Sequence, residues 1–154
     1  MEYAIVTISD RPDLAPIVAG FVLQAFGHAD SPSAAEITAQ ILAPHRGPEE
    51  TFVLLEGERP VGTAALSYDD LKSRPDLTPW LASVVVEPDS RGKGYAIALV
   101  RRVEAMAREA GVQTLWLFTW TAEPLYARLG WQRVGLETNR GREVVLMKRD
   151  LTAA

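Results

Sequence analysis

The 154-residue chain contains no cysteine. That excludes a disulfide framework, a cysteine-ligated iron–sulfur cluster, a thiolate zinc site and a cysteine nucleophile. Histidine is almost as scarce. His28 and His45 are the only two, too few for a multi-histidine centre, so no metal is expected. No apolar run approaches the ~20 residues of a membrane span, and Met1-Glu2-Tyr3 leads straight into an apolar stretch without a basic n-region. A basic excess is missing too: 16 Lys and Arg face 20 Asp and Glu, a net charge of −4. A nucleic-acid binder normally shows a basic face. The expectation is a soluble cytoplasmic protein with neither nucleic acid nor membrane as partner, acting as a monomer or homodimer.

What is present reads as a globular chain. Hydrophobic residues make up 47% of the sequence, too many for a disordered coil, and the length suits one domain over residues 1–154. Residues 3–8 are β-branched and aromatic, a first strand. Asp10 is expected to cap a helix with Pro12 in its first turn, and Pro16 to delay its regular part. Leu14, Ile17, Val18, Phe21, Val22 and Ala25 fall on one helical stripe. Ser33 and Glu36 form a capping box for a second helix, which is expected to bury Ile37, Ile41 and Leu42 before Pro44. A hairpin follows over 52–66, then a polar loop over 69–79. Residues 80–86 are almost wholly apolar, as a central strand covered on both faces should be. A long helix reaches Ala110, a strand covers 115–118, a short helix runs from about Pro124 to Leu129, and two last strands meet at Asn139-Arg140-Gly141. Alternation of strand and helix over 80–119 implies a parallel pair with a right-handed crossover. The fold class is α/β with a mixed sheet.

The stretch with chemistry in it is Val84-Val85-Val86-Glu87-Pro88-Asp89-Ser90-Arg91-Gly92-Lys93-Gly94-Tyr95-Ala96. A buried strand ends and a glycine-containing turn enters a long helix. Free N–H groups and the positive end of the helix dipole make such a start an anion site. Gly92 and Gly94 allow close approach of the main chain, and Arg91 and Lys93 add charge. Two nucleotide motifs do not fit. A Walker loop would need Ser or Thr after Lys93, where Gly94 stands, and the third glycine of a dinucleotide fingerprint would fall on Ile97.

Arg91-Gly-Lys-Gly94-Tyr-Ala96 resembles the Arg/Gln-x-x-Gly-x-Gly/Ala signature of the GNAT superfamily of N-acetyltransferases. Val86 and Pro88 resemble its lead-in, and Leu125-Tyr126-Ala-Arg-Leu129-Gly130-Trp131 is similar to a second family block. The resemblance implies a GNAT-like mixed sheet of about seven strands flanked by about four helices, and acetyl-CoA as cosubstrate. It also implies a splayed parallel pair in which Val84 and Val86 pair with the pantetheine amides. The backbone from Gly92 to Ala96 would take the pyrophosphate, and Tyr126 would serve as general acid.

The rest of the site stays open. Relatives often carry a carboxylate on the strand equivalent to 80–86, where this chain has only Ser83. Asp69, Asp70, Glu56 and Glu123 are alternative bases, and Thr119 replaces an Asn common in the family. Asp70 and Trp80 are candidates for contact with a small-molecule amine acceptor, with core packing the alternative for Trp80. His28 reads as a cap or surface residue. A non-catalytic acyl-CoA sensor, or transfer to a protein amino terminus or lysine, are the rival functions.

Overall fold

The computed structural model describes residues 2–152. It contains β1 (Tyr3–Thr7), α1 (Ala15–Phe26), α2 (Ala34–Leu42), β2 (Glu50–Glu56), β3 (Arg59–Ser67), β4 (Trp80–Val86), α3 (Tyr95–Glu109), β5 (Thr114–Thr119), α4 (Glu123–Arg128), β6 (Gln132–Asn139) and β7 (Arg142–Asp150). The strands form one sheet in the order β1-β2-β3-β4-β5-β7-β6. All neighbours are antiparallel except β4 and β5, which are parallel.

Strand β2 shows why two layers of helix cover this sheet. Phe52 and Leu54 point into the cluster with Leu99, Val100 and Val103 of α3. Val53 and Leu55 point the other way, against Leu14, Ala15 and Val18 at the start of α1. Side chains alternate along a strand, so an uninterrupted apolar run needs cover on both faces. Each such burial contributes about 1.5–3 kcal/mol.

The helices begin and end partly as their sequences predict. Ser33 Oγ accepts the N–H of Glu36, while Glu36 accepts the N–H of Ser33, completing the capping box. Pro16 does delay α1: a short 3-10 turn over Pro12–Leu14 precedes it. Asp10, however, caps nothing. Its N–H bonds to Thr7, and the 3-10 turn carries no side-chain cap. Ile17 and Leu42 are exposed, so the stripes of α1 and α2 are narrower than expected. These two helices pack on one another and lean over only part of the sheet.

One polar cluster holds the far end together. Glu104 is 2% exposed, although it lies on a charged helix. It accepts from Trp131 Nε1 at 2.9 Å and Arg101 Nη1 at 2.8 Å, and stands 3.5 Å from Arg149 Nε. Both arginines also donate to the carbonyl of Leu129. This binds α3 to the end of α4 and to β7. Removing one member of a buried pair strands the others, so Glu104→Ala should lose about 3–5 kcal/mol of stability. Thermal unfolding should then shift down by about 10 °C or more; an unchanged midpoint would contradict this.

Candidate active site

Strand β4 changes its facing part-way along. The only paired register between β4 and β5 is Trp80 with Trp116, supported by Trp116 N–H donating to the carbonyl of Pro79 at 3.2 Å. Beyond that the two strands part. On the other side, the register of β4 against β3 slips between Thr63 and Ala65, and Ser83 takes a positive φ of 55°. This is a β-bulge: two residues of β4, Ser83 and Val84, stand opposite Ala64. The extra residue reverses the alternation. Glu87 N–H donates to the carbonyl of Val61 at 2.8 Å, so Val85 and Glu87 address β3. The main-chain groups of Val84 and Val86 therefore point into the gap left by β5. Val86 offers its carbonyl there, where Arg91 Nε donates at 3.2 Å.

The loop after β4 leaves a run of main-chain donors free. Gly92 and Gly94 have φ of 81° and 80°, a region open to glycine and costly for most side chains. An added Cβ at either would meet only open space, so backbone conformation and room above the loop set these two positions. Among the described residues, the N–H groups of Gly92, Lys93, Gly94, Tyr95, Ala96 and Ile97 donate to no protein acceptor. Six consecutive unpaired donors at the start of a 15-residue helix fit a pyrophosphate.

Two side chains of that loop turn to Glu56, among them Lys93, which the sequence reads as adding charge to the loop. Lys93 Nζ lies 2.9 Å from Glu56 Oε2, and Tyr95 donates its hydroxyl to the same oxygen. The hydrogen bonds from Tyr95 and then Lys93 hold the Glu56 carboxyl below its ordinary range. Glu56 thus anchors the loop and is no base for an acceptor. Tyr95 is buried, its ring edge-on to Tyr3 at 5.3 Å. Only its N–H is available to a ligand.

Tyr126 sits on α4 with 8% of its surface exposed. Thr119 Oγ1 accepts the N–H of Ala122 at 3.0 Å and so closes the turn from β5 into α4. That is the observed duty of the residue standing where relatives often have Asn. The Trp131 ring meets Tyr126 edge-to-face at 6.2 Å, and Trp131 is itself fixed by Glu104. Burial pushes the Tyr126 phenol up to about 12.

The remaining candidates divide. Trp80 has no exposed surface, donates Nε1 to the carbonyl of Leu77 and packs with Leu71, Leu146 and Phe118. It is core and cannot wall an acceptor site. Trp120, just past the end of β5, is 61% exposed beneath the Arg142 guanidinium. Glu123 pairs with Arg133. Asp70 lies in a crowded region that pushes its carboxyl up to about 7, yet the residue is exposed. Its neighbour Asp69 borders the cavity instead.

That cavity, of about 460 Å³, lies where α1 and α2 lean over β2, β3 and β4. Val18, Val22, Phe26 and Ile41 supply an apolar wall, and Ser83 of the bulge lies in its lining. His28, His45, Glu49, Glu50 and Asp69 also border it. Sequence reading missed His45 and Glu50, which no motif marks. A smaller cleft of about 210 Å³ lies between α1 and the end of β4, bordered by Val85, Val86 and Arg91. Among the described residues no group of three or more His, Asp or Glu side chains could hold a metal ion, and no helix is long and apolar enough to cross a membrane.

The cavity meets the bulge at Ser83, and the strand gap and the six-donor loop lie farther along the same strand and the turn after it. The acetyltransferase (GNAT) family model matches residues 20–131. The chain belongs to the GNAT family. Its fold resembles an aminoglycoside 6'-N-acetyltransferase solved with coenzyme A, at 15% identity and a TM-score of 0.79, covering 100% of this chain and 99% of that one. An N-acetyltransferase from Staphylococcus aureus Mu50 aligns at 20% identity, TM-score 0.77, over 98% and 99% of the two chains. A Salmonella typhimurium acetyltransferase solved with acetyl-CoA aligns at 18% identity, TM-score 0.69, over 100% and 96%. No curated protein matches the sequence significantly. The seven-stranded mixed sheet with four α-helices is the GNAT fold expected from the sequence, and the protein is an acetyl-CoA-dependent N-acetyltransferase.

Proposed function

We propose that this GNAT enzyme, acting in the cytoplasm as a single domain, acetylates the primary amine of a small cationic molecule with an apolar arm. The observation that carries this is the cavity wall. Glu49, Glu50 and Asp69 border it, with Asp69 held by Arg46 from outside, and no lysine or arginine forms part of the lining. An ammonium group entering there meets negative charge, while an apolar arm meets Val18, Val22, Phe26 and Ile41. A volume of about 460 Å³ suits a small molecule.

The chain's own groups define the rest. Main-chain groups of Val84 and Val86 bind the pantetheine amides as an added strand would. The N–H groups from Gly92 to Ala96 receive the pyrophosphate, with Arg91 beside them. These contacts lay the thioester along the gap between β4 and β5, close to the bulge at Ser83. The amine then attacks directly in a ternary complex, and held reactants need no further encounter. Tyr126 steadies the departing thiolate.

The test is thiol release from acetyl-CoA with three acceptors: 2-phenylethylamine, phenylalanine and a lysine-containing peptide. The cationic amine should exceed zwitterionic phenylalanine in kcat/KM by 100-fold or more, because a carboxylate facing Glu49 and Glu50 is repelled. Preference for the peptide would point to protein acetylation and overturn the assignment of the acceptor.

A further inference from the structure

Glu50 is a buried carboxylate on the cavity wall, and it lacks the partner such a group normally has. It is 7% exposed. One oxygen accepts the hydroxyl of Ser9, and the other accepts the N–H of Thr51 at 3.0 Å and of Ser9 at 3.4 Å. The side chain is therefore fixed. Buried charges are ordinarily paired, because desolvation costs several kcal/mol per ion. The neighbouring carboxylates are provided for. Asp69 has Arg46 at 3.0 Å, and Glu49 accepts the N–H groups of Arg46 and Tyr68. No arginine or lysine reaches Glu50 among the described residues. The nearest basic side chain is His45, whose Nε2 is 4.0 Å from Oε1.

The two histidines on the cavity wall differ in a way that decides between them. His28 Nδ1 accepts the N–H of Asp30 at 3.1 Å and lies 2.8 Å from Arg140 Nη2. That ring is already committed. His45 makes no hydrogen bond to a described residue. Its side chain is 35% exposed, so water can carry a proton away from it.

We propose that His45, with the Glu50 carboxylate beside it, is the general base that takes the proton from the acceptor's ammonium. This rests on the acceptor reading above and supplies the base that β4, with only Ser83, lacks. A carboxylate beside Nε2 favours the tautomer with hydrogen on that nitrogen and leaves Nδ1 to accept. The protons balance. The ammonium gives one proton to His45, directly or through one water, and the neutral amine forms the C–N bond as the C–S bond breaks. The nitrogen loses its second proton to water, the thiolate gains one from water, and His45 returns its own to solvent. The charged and titratable groups around the ring are Glu50 from β2, Glu49 and Arg46 from the preceding loop, Asp69 from the loop after β3, and His28 across the cavity.

The experiment compares His45→Gln and Glu50→Gln with the wild type, using 2-phenylethylamine as acceptor and calorimetry with acetyl-CoA as the control for folding. His45→Gln should lower kcat about 100-fold or more, the usual scale of general base catalysis. It should leave acetyl-CoA affinity within twofold, lose the acid limb of the kcat/KM profile and regain rate with added imidazole. Glu50→Gln should lower kcat about tenfold. A raised KM with unchanged kcat would mean that the pair only binds charge, and would overturn the proposal, as would a kcat within threefold of wild type without imidazole rescue. Wild-type enzyme that binds acetyl-CoA yet does not turn over 2-phenylethylamine overturns the acceptor reading itself, before any variant is made.

Discussion

Gly94→Asp should fold and yet fail to bind acetyl-CoA. Gly94 has φ of 80° and an added Cβ there meets open space. Aspartate enters the left-handed region more readily than most residues, so the backbone cost is about 1 kcal/mol and unfolding shifts only slightly. The new carboxylate lies among the unpaired N–H groups of residues 92–97. It competes for them and repels the incoming phosphates. Two unit charges 4 Å apart at an effective dielectric of 20 repel by about 4 kcal/mol, about a thousandfold in affinity. Gly94→Asn has nearly the same shape without the charge and should lose far less. Calorimetry with acetyl-CoA on both variants separates the causes. Equal losses would assign the effect to strain, and binding of Gly94→Asp within threefold of wild type would remove the phosphates from this loop.

The second large effect is expected at Tyr126. A phenol pushed up to about 12 by burial keeps its proton through the neutral and moderately alkaline range. A thiol lies near 8.5, so full transfer of the phenolic proton to the thiolate is uphill by about 5 kcal/mol. That favours hydrogen-bond donation to the developing thiolate over complete acid catalysis. Removing one such donor typically costs 2.7–4 kcal/mol of barrier. Tyr126→Phe should therefore lower kcat about 100- to 1,000-fold with acetyl-CoA affinity little changed. Because the raised phenol is still protonated at pH 10, Tyr126 should cause no alkaline loss of kcat below about pH 11. The sign for stability is opposite to that of a buried carboxylate pair. The unfolded phenol ionises near 10 and the folded one near 12, so this group's contribution to stability falls as pH rises from about 10. Unaltered turnover in Tyr126→Phe would reduce the residue to a packing partner of Trp131.

The glycine loop between β4 and α3 was readable in the sequence because its determinants are local. Two glycines with positive φ, a proline ending the strand and a helix start are contiguous, and each acts on its own backbone. The Ser33 and Glu36 capping box was readable for the same reason. The bulge was not. Ser83 carries no mark of its positive φ, which the pairing of β4 with β3 imposes, and only that bulge turns Val84 and Val86 toward the gap. Trp80 could be read as core or as a wall of the acceptor site; its place in β4 at the sheet's centre decided for the core. Glu104 occupies a helix position that reads as solvated, yet Trp131, Arg101 and Arg149 arrive from distant segments to satisfy it. His45 and Glu50 belong to this class as well. Their proximity to the cavity depends on α1 and α2 leaning over three strands.

The most direct measurement is titration calorimetry of the wild-type protein with acetyl-CoA, alongside free coenzyme A. One-to-one binding at micromolar affinity to both, the acetylated form included, is the predicted result. Absence of heat with either at millimolar concentration would contradict it and would leave the glycine loop as no more than the turn between β4 and α3.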